Sequence, residues 1–384
     1  MRTVVVVGAS LAGLSAVRAL RAQGYDGHLV VVGEERHQPY DRPPLSKDFL
    51  AGKATAGSLD LLGDQDEALE VQWRLGTRAV RINAADRSVL LSTEDSLRCD
   101  GVVLATGARA RALPGGGGLD RVHCLRTLDD AVALRADLLP GARLVIIGAG
   151  FIGAEVASTA RLLGLDVTVV EADPVPLARQ FGLEMGQLCA RLHGENGVRL
   201  LTGVGVRELV GASKVEGVRL VDGTVLPADV VVVGIGAVPN TEWLAGSGLV
   251  LGNGVITDTS CATNLGHVVA VGDCAAVHGE RVEHWTNALE QPTVAAATLL
   301  DGERGRHVHT AAPYFWSDQY GVRIQFAGHR APGDAVRVVE GDPEERSFLA
   351  VYERAGEPVA VVAMNRAKAF GRWRRQLVRH LPTT

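Results

Sequence analysis

Apolar runs of four to six residues, several closed by glycine, recur along the chain. Val4 to Val7 leads into Gly8-Ala9-Ser10-Leu11-Ala12-Gly13. Helical sequence follows to about Ala22, then a second run from His28 to Val32, with Glu34 just beyond Gly33. The same layout returns at Leu144 to Ile147, followed by Gly148-Ala149-Gly150-Phe151-Ile152-Gly153. Helical sequence then runs through Leu163, breaks at Gly164, and gives way to an apolar run from Leu165 to Val170 that ends on Glu171. Runs without polar alternation suit strands covered on both faces, as in a parallel sheet. Each unit therefore predicts strand, tight turn, helix and strand.

Further buried strands are expected at Gly101 to Ala105, ending Thr106-Gly107, and at Asp229 to Val233, ending Gly234-Ile235-Gly236-Ala237-Val238-Pro239-Asn240. Another is expected at Val268 to Val271, ending Gly272-Asp273-Cys274. Shorter strands are expected at Val71 to Val80, Ser88 to Leu91, Val198 to Leu201, Val204 to Val210, Val215 to Leu220 and Val225 to Leu226. Helices are expected at Leu128 to Leu139, Leu177 to His193 and Asn287 to Leu300. Leu113-Pro114-Gly115-Gly116-Gly117-Gly118 reads as a flexible connection and a domain boundary. From Pro313 the composition shifts. Aromatics gather at Tyr314, Phe315, Trp316 and Tyr320. Alternating segments at Arg323 to Ala327, Ala335 to Val339, Phe348 to Tyr352 and Val359 to Ala363 suggest an antiparallel sheet. A basic helix from Arg366 ends the chain.

The two repeated units carry the chemistry. In Gly148 to Gly153 the first glycine allows the turn, Gly150 lets a pyrophosphate approach the backbone, and Gly153 lets helix and strand pack closely. The helix N-terminus offers unpaired N–H groups to phosphate, and Glu171 suits two ribose hydroxyls. A glycine-rich turn alone is weak evidence; strand, helix and distal acid in register make it strong. In the first unit Ser10 replaces the middle glycine, and its hydroxyl is suited to donate to phosphate. Two such units in one chain point to one flavin and one nicotinamide, because these exchange hydride. Asp273 stands at a strand's carboxyl end, equally suited to a ligand and to a helix N-cap. The loop Gln38 to Lys47 is too rich in proline for a continuous helix, and reads either as a solvated loop or as one presenting Arg42 and Lys47.

Length and composition narrow the field. At 384 residues the chain suits two or three domains, and 47% hydrophobic with 22% charged residues is globular composition. A net charge of −5 argues against nucleic acid as a global partner. The five cysteines include no C-x-x-C, which argues against a zinc ribbon, an iron–sulfur site or a dithiol centre. No signal-peptide pattern and no membrane-length run is seen, so the expected place is the cytoplasm, without membrane attachment. The basic tail, with Arg366, Lys368, Arg372, Arg374, Arg375 and Arg379, is either a solvated helix or a docking face.

Together, Tyr40-Asp41-Arg42-Pro43-Pro44-Leu45-Ser46-Lys47, Ala105-Thr106-Gly107-Ala108-Arg109, Gly148 to Glu155 and Gly236-Ala237-Val238-Pro239-Asn240 carry a family likeness. So do Gly272-Asp273-Cys274, Glu283-His284-Trp285-Thr286-Asn287-Ala288 and Tyr314-Phe315-Trp316-Ser317-Asp318-Gln319-Tyr320. The chain resembles, over its whole length, the NADH-dependent ferredoxin reductases of bacterial oxygenases (the putidaredoxin, rubredoxin and biphenyl-dioxygenase reductase type). The resemblance implies an α/β fold of the glutathione-reductase-like kind: two Rossmann-like, three-layer dinucleotide-binding domains plus a C-terminal α+β domain. It places FAD in a discontinuous domain of residues 1–112 and 241–312, NADH in residues 113–240, and the third domain at 313–384, beside the flavin. FAD is then expected at Gly8, Ser10, Ala12, Gly13, Glu34, Val80, Ala105, Thr106, Gly107, Gly272 and Asp273, with Arg126 and Asp273 at its pyrophosphate and ribityl region. Glu34 takes the adenine-side ribose. NADH is expected at Gly148, Gly150, Ile152, Gly153, Glu171 and Gly236.

The same likeness puts Lys47, paired with Glu155, beside the reactive flavin nitrogen as the catalytic pair. Trp285 is placed at the flavin edge and Trp316 close by. Pro292 is expected to delay the start of its helix. No metal is implied. The expected partner is a ferredoxin-type iron–sulfur protein, met transiently by a monomer or weak dimer, with Arg42 and Arg74 or Arg78 helping the basic tail to steer it. Glu171 favours NADH over NADPH; Arg179, nearby in sequence, works the other way. Thiol-dependent relatives and NADH oxidases or peroxidases would need a cysteine near the flavin, and none precedes Cys99. A redox-sensing flavoprotein without a dedicated carrier stays open, as does the choice between a two-iron ferredoxin, a three- or four-iron one and a rubredoxin.

Overall fold

The computed structural model describes residues 1–115, 118–302, 306–309 and 312–380, with side chains through 377. Part of the connection expected at 113–118, and the Arg379 side chain, lie outside the described residues.

The first sheet is parallel throughout. Its strands run in the order Val268–Ala270, Gly101–Leu104, Thr3–Val7, His28–Val32 and Val71–Arg74. The apolar runs have a simple cause. Val4 and Val6 enter one core, with Leu29, Val31 and Val103, while Val5 and Val7 enter the other, with Val30, Val32 and Val102. Both faces are covered, so no position alternates with a polar one. Helix α1 (Leu11–Ala22) packs on one face. Because the strand at 268–270 completes this sheet, the first unit is discontinuous in sequence.

The second sheet repeats the plan. Its order is Arg199–Thr202, Asp166–Glu171, Arg143–Ile147, Val230–Val233 and Val122–His123, again parallel. Helix α2 (Leu128–Asp137) starts at Thr127, whose hydroxyl accepts from Asp130 N while Asp130 accepts from Thr127 N. Helix α3 (Phe151–Leu162) follows the glycine-rich turn, and α4 is Ala178–Glu195.

Two expected helices differ in detail. The backbone at Gly182, inside α4, is non-helical with φ 79°. The break leaves the Phe181 carbonyl free to accept the Tyr352 hydroxyl at 2.6 Å, and the Phe181 ring is fully buried. Helix α5 (Trp285–Asp301) begins earlier than expected and runs through Pro292. A proline inside a helix costs about 3 kcal/mol. Here Ala295, Ala296 and Leu299 are buried in the core with α1, and the Gln291 side chain accepts from Gly272 N at 2.7 Å. Tertiary packing on both sides of the proline outweighs its local cost. The segment expected as a strand over Val71 to Val80 is two strands, Val71–Arg74 and Ala79–Asn83, separated by a turn with Gly76 at φ 64°.

The third sheet is antiparallel, in the order Tyr314–Gln319, Val322–Gly328, Glu357–Met364, Ser347–Arg354 and Ala335–Asp342. Its central strands are covered on both faces. Leu349, Val351 and Val361 pack under helix α6 (Ala367–His380), while Phe326, Phe348 and Val362 share a core with Phe181, Met185 and Leu192 of α4. The second unit thus lends a helix to the C-terminal sheet.

At this junction the Tyr320 hydroxyl and His193 Nδ1 share a hydrogen bond at 2.8 Å, and Ser158 Oγ accepts from Tyr320 N at 2.7 Å. Burial lowers the His193 pKa to about 4. The unfolded chain binds this proton below about pH 6.5, the folded protein only near 4, so stability is full above pH 6.5 and falls as pH drops towards 4. Melting temperatures measured across that window fall, and fall less in a His193→Asn variant; equal slopes would remove the assignment to His193.

Candidate functional site

A cavity of about 670 Å³ lies between the three units. One wall is the N-terminus of α1. A β-carbon on Gly8, at φ 124°, would stand 2.0 Å from the Ala105 carbonyl oxygen, and one on Gly13 would stand 1.8 Å from Gly8 O. Strand, turn and helix are therefore in backbone contact, and Ser10, Leu11 and Ala12 face the cavity. Ser10 begins the helix without a side-chain capping bond, which leaves its hydroxyl and the first N–H groups for an anion.

Beyond the helix end, Arg126 reaches Asp273 at 2.7 Å and the Ala108 carbonyl at 2.8 Å. Asp273 sits in a short turn at Gly272–Cys274 and caps no helix with its side chain; of its two expected roles, the ligand-facing one agrees with its place in the wall. Gly272, at φ 68°, brings this turn close to Ala12. Glu34 is exposed at the exit of its strand, 3.8 Å from Arg78. Glu34, Val80 and Thr106 are not in the cavity lining, whereas Ala105 and Gly107 are.

The cavity wall carries an ion pair. Lys47 Nζ donates to Glu155 Oε2 at 2.7 Å. Glu155 lies on the buried face of α3 and is 5% exposed. A carboxylate at such depth is costly unless fully bonded. The same oxygen accepts from Ser46 Oγ at 2.5 Å, and Oε1 accepts from Ser317 Oγ at 2.7 Å and Asp318 N at 3.2 Å. Four donors from two remote segments therefore fix the group. Ser317 is itself held by Gln319 Nε2 at 3.0 Å. Opposite stand Trp285 and Trp316, edge to face at 5.7 Å, with Trp285 Nε1 donating to Asp41 at 3.0 Å. Ser46, Ser317 and Asp318 lie inside recognisable motifs, yet nothing local marks them as the carboxylate's partners.

Arg42 departs from expectation. Its guanidinium bonds Glu35 and the Arg126 carbonyl, each at 2.6 Å, and it stands in the cavity wall. These bonds hold the loop in place, so Arg42 is not a surface cation steering a partner. Burial of the Tyr40 phenol raises its pKa, so it remains a donor to Glu35 and accepts from Leu128 N.

The second glycine-rich turn opens on the other side. A β-carbon on Gly148 would lie 2.3 Å from Gly234 O, and one on Gly153 would lie 2.2 Å from Gly148 O. Gly150, by contrast, has open space around it, as does Gly236. Close packing beneath and room above make a cradle for a pyrophosphate. Ile152 is exposed on the cavity wall. Glu171 accepts from Ala149 N at 2.8 Å and Asp173 N at 2.9 Å, which fixes its carboxylate at the strand tip. Arg179 is paired with Asp173 at 3.3 Å.

Both cradles fit dinucleotides: each offers a helix N-terminus without a side-chain cap, with a carboxylate about 20 residues on. Among the described residues no group of three or more histidine, cysteine or acidic side chains is placed to hold a metal, and no cysteine lines the cavity.

Residues 2–292 match the family model described as pyridine nucleotide-disulphide oxidoreductase, and residues 314–383 match a reductase C-terminal domain. The chain is 37% identical to putidaredoxin reductase of Pseudomonas putida over 99% of its own length and 92% of that protein. It is also 37% identical to rhodocoxin reductase of Rhodococcus erythropolis, over 100% of this chain and 91% of the other. The crystal structure of the covalent putidaredoxin reductase–putidaredoxin complex superposes with a TM-score of 0.93 at 37% identity, covering 99% of this chain and 94% of that one. The chain therefore belongs to the pyridine nucleotide-disulphide oxidoreductase family and carries that family's reductase-type C-terminal domain.

Proposed function

We propose that this protein is an FAD-dependent ferredoxin reductase: it takes electrons from NADH and passes them to a ferredoxin-type iron–sulfur carrier that feeds an oxygenase. The observation that carries this reading is the Lys47–Glu155 pair in a cavity without cysteine, between two dinucleotide cradles. Thiol-dependent members of such a family relay electrons through cysteine, and here the five cysteines are unpaired and none lines the cavity. The whole-chain likeness to putidaredoxin and rhodocoxin reductases supports the carrier.

Bound FAD supplies the conversion from two-electron to one-electron transfer. The protein's own residues do the rest. Ser10 and the α1 N-terminus hold its phosphates, Arg126 and Asp273 hold its middle, and Glu34 holds its ribose. Lys47 would place a positive charge beside the bound ring, and Glu155 would fix that charge. Trp285 and Trp316 exclude water from the edge. Gly148, Gly150, Gly153 and Glu171 hold NADH. The domains divide at 1–112 with 241–312, at 113–240 and at 313–384. The cytoplasm, which holds the NADH pool, is its working place.

The direct test adds NADH and a two-iron ferredoxin to the purified protein and follows ferredoxin reduction, with ferricyanide as artificial acceptor. Ferricyanide reduction without any ferredoxin reduction would favour a redox sensor over a reductase.

Cofactor choice gives a second test. Glu171 would meet the 2′-phosphate of NADPH with a carboxylate, and Arg179 is engaged by Asp173. NADH is expected to exceed NADPH in kcat/KM by about tenfold or more. Glu171→Ala narrows that gap; an equal preference in the wild type would discard the role.

On α6, Lys368 and Arg375 are exposed, whereas Arg372 pairs with Glu340 at 2.8 Å and Arg374 lies 4.4 Å over the Tyr314 ring. An acidic carrier attracted by this face is reduced more slowly as salt rises, because exposed charges are screened within about 10 Å at 0.1 M. A rate that ignores ionic strength counts against steering.

A further inference from the structure

His284 stands in the cavity wall, and the reaction described above gives it no role. It precedes the first turn of α5, and its ring packs on Phe315 with centroids 5.0 Å apart. Phe315 packs in turn on Phe151 at 4.6 Å, and Phe151 is the first residue of the helix that follows the second glycine-rich turn. His284 therefore lies on the NADH side of the cavity, whereas Trp285 turns the other way, to Asp41 and Trp316.

Its two ring nitrogens have different surroundings. Nδ1 is shut off from water and has no hydrogen-bond partner among the described residues. Nε2 also has no partner among the described residues but is not shut off, and the ring lines the cavity. An enclosed N–H without an acceptor costs more than an enclosed lone pair, because the donor forfeits a full hydrogen bond. The proton therefore sits on Nε2. Burial favours the neutral ring, bringing the pKa to about 4; Asp273 opposes this and His329 adds to it. A neutral ring with one N–H, packed on Phe315, suits an uncharged carbonyl better than an anion.

We propose that His284 donates its Nε2–H to the carboxamide oxygen of the nicotinamide and so fixes which way that ring lies in the cavity. The proposal rests on the placement of NADH given above.

Two variants of the FAD-loaded protein test it. His284→Phe keeps the ring packing and removes the donor; His284→Gln restores an amide N–H. NADH binding is read anaerobically with NAD⁺ and with the non-reducing tetrahydro analogue of NADH, from the perturbation of flavin absorbance. The flavin midpoint potential is read separately by spectroelectrochemistry. His284→Phe is expected to weaken both ligands about tenfold, and His284→Gln to recover most of that, with the potential unmoved. Unchanged binding in His284→Phe would overturn the proposal. A shifted potential with unchanged binding would also overturn it, by assigning His284 to the flavin instead. If His284→Phe retained no FAD, His284→Ala serves in its place with the same outcomes. A wild-type protein that bound neither ligand would overturn the NADH reading, and the proposal with it.

Discussion

Replacing Lys47 with methionine is expected to lower the limiting rate of flavin reduction by about a hundredfold, while the NADH dissociation constant changes by no more than about threefold. The ammonium lies 2.7 Å from Glu155 and inside the cavity, where charge is poorly screened. With FAD bound there, its positive charge would matter most as the ring gains electrons, which is later than NADH binding. That is the condition for an effect on rate rather than on affinity. The variant also leaves Glu155 buried with only its neutral donors, Ser46, Ser317 and the Asp318 amide. A negative group beside the developing charge then opposes reduction. Lys47→Arg keeps the charge and is expected to retain a larger share of the rate. Anaerobic stopped flow separates the two constants, and an unchanged limiting rate in Lys47→Met would discard the role.

Gly8→Ala is expected to abolish stable FAD binding. The added carbon would stand 2.0 Å from Ala105 O, in a backbone with φ 124° that side chains rarely adopt. The obstacle is backbone, not a movable side chain, so two central strands must part or the turn must be rebuilt. Either displaces the α1 N-terminus from the phosphates. Costs of several kcal/mol, about 3 or more, are usual for strain combined with a core clash. The purified variant should show a flavin-to-protein absorbance ratio near zero and a melting temperature that excess FAD does not restore. Full flavin content would show that the turn tolerates the carbon. Gly150→Ala offers a contrast, because the space around Gly150 is open. It should fold and keep FAD while losing NADH affinity.

Much of the framework was legible because it is local. The paired strand–turn–helix units, Glu34 and Glu171 at the strand tips, and the parallel sheets follow from short apolar runs and glycine spacing. The thiol-free site was legible as well, since no cysteine stands in the early loops. Three features were not. Pro292 argued for a late helix, but burial against α1 decided otherwise. Arg42 looked like a presented surface cation, but Glu35, seven residues away, and Arg126, eighty-four away, drew it into the wall. The alternation after Pro313 suggested an antiparallel sheet, but nothing in it showed that α4 of another unit would cover one of its faces.

The amino-acid order alone marked two dinucleotide-type turns and put Glu171 at the tip of the strand that follows the second. Those properties depend on backbone turns and helix ends, whose partners lie within about 20 residues. Only the tertiary structure decided how Glu155 is bonded and aimed, because its donors come from residues 109, 108, 162 and 163 positions away. A buried carboxylate needs several donors converging from different directions. No single segment supplies that, so the Lys47–Glu155 pair with its full set of donors exists only where three units meet.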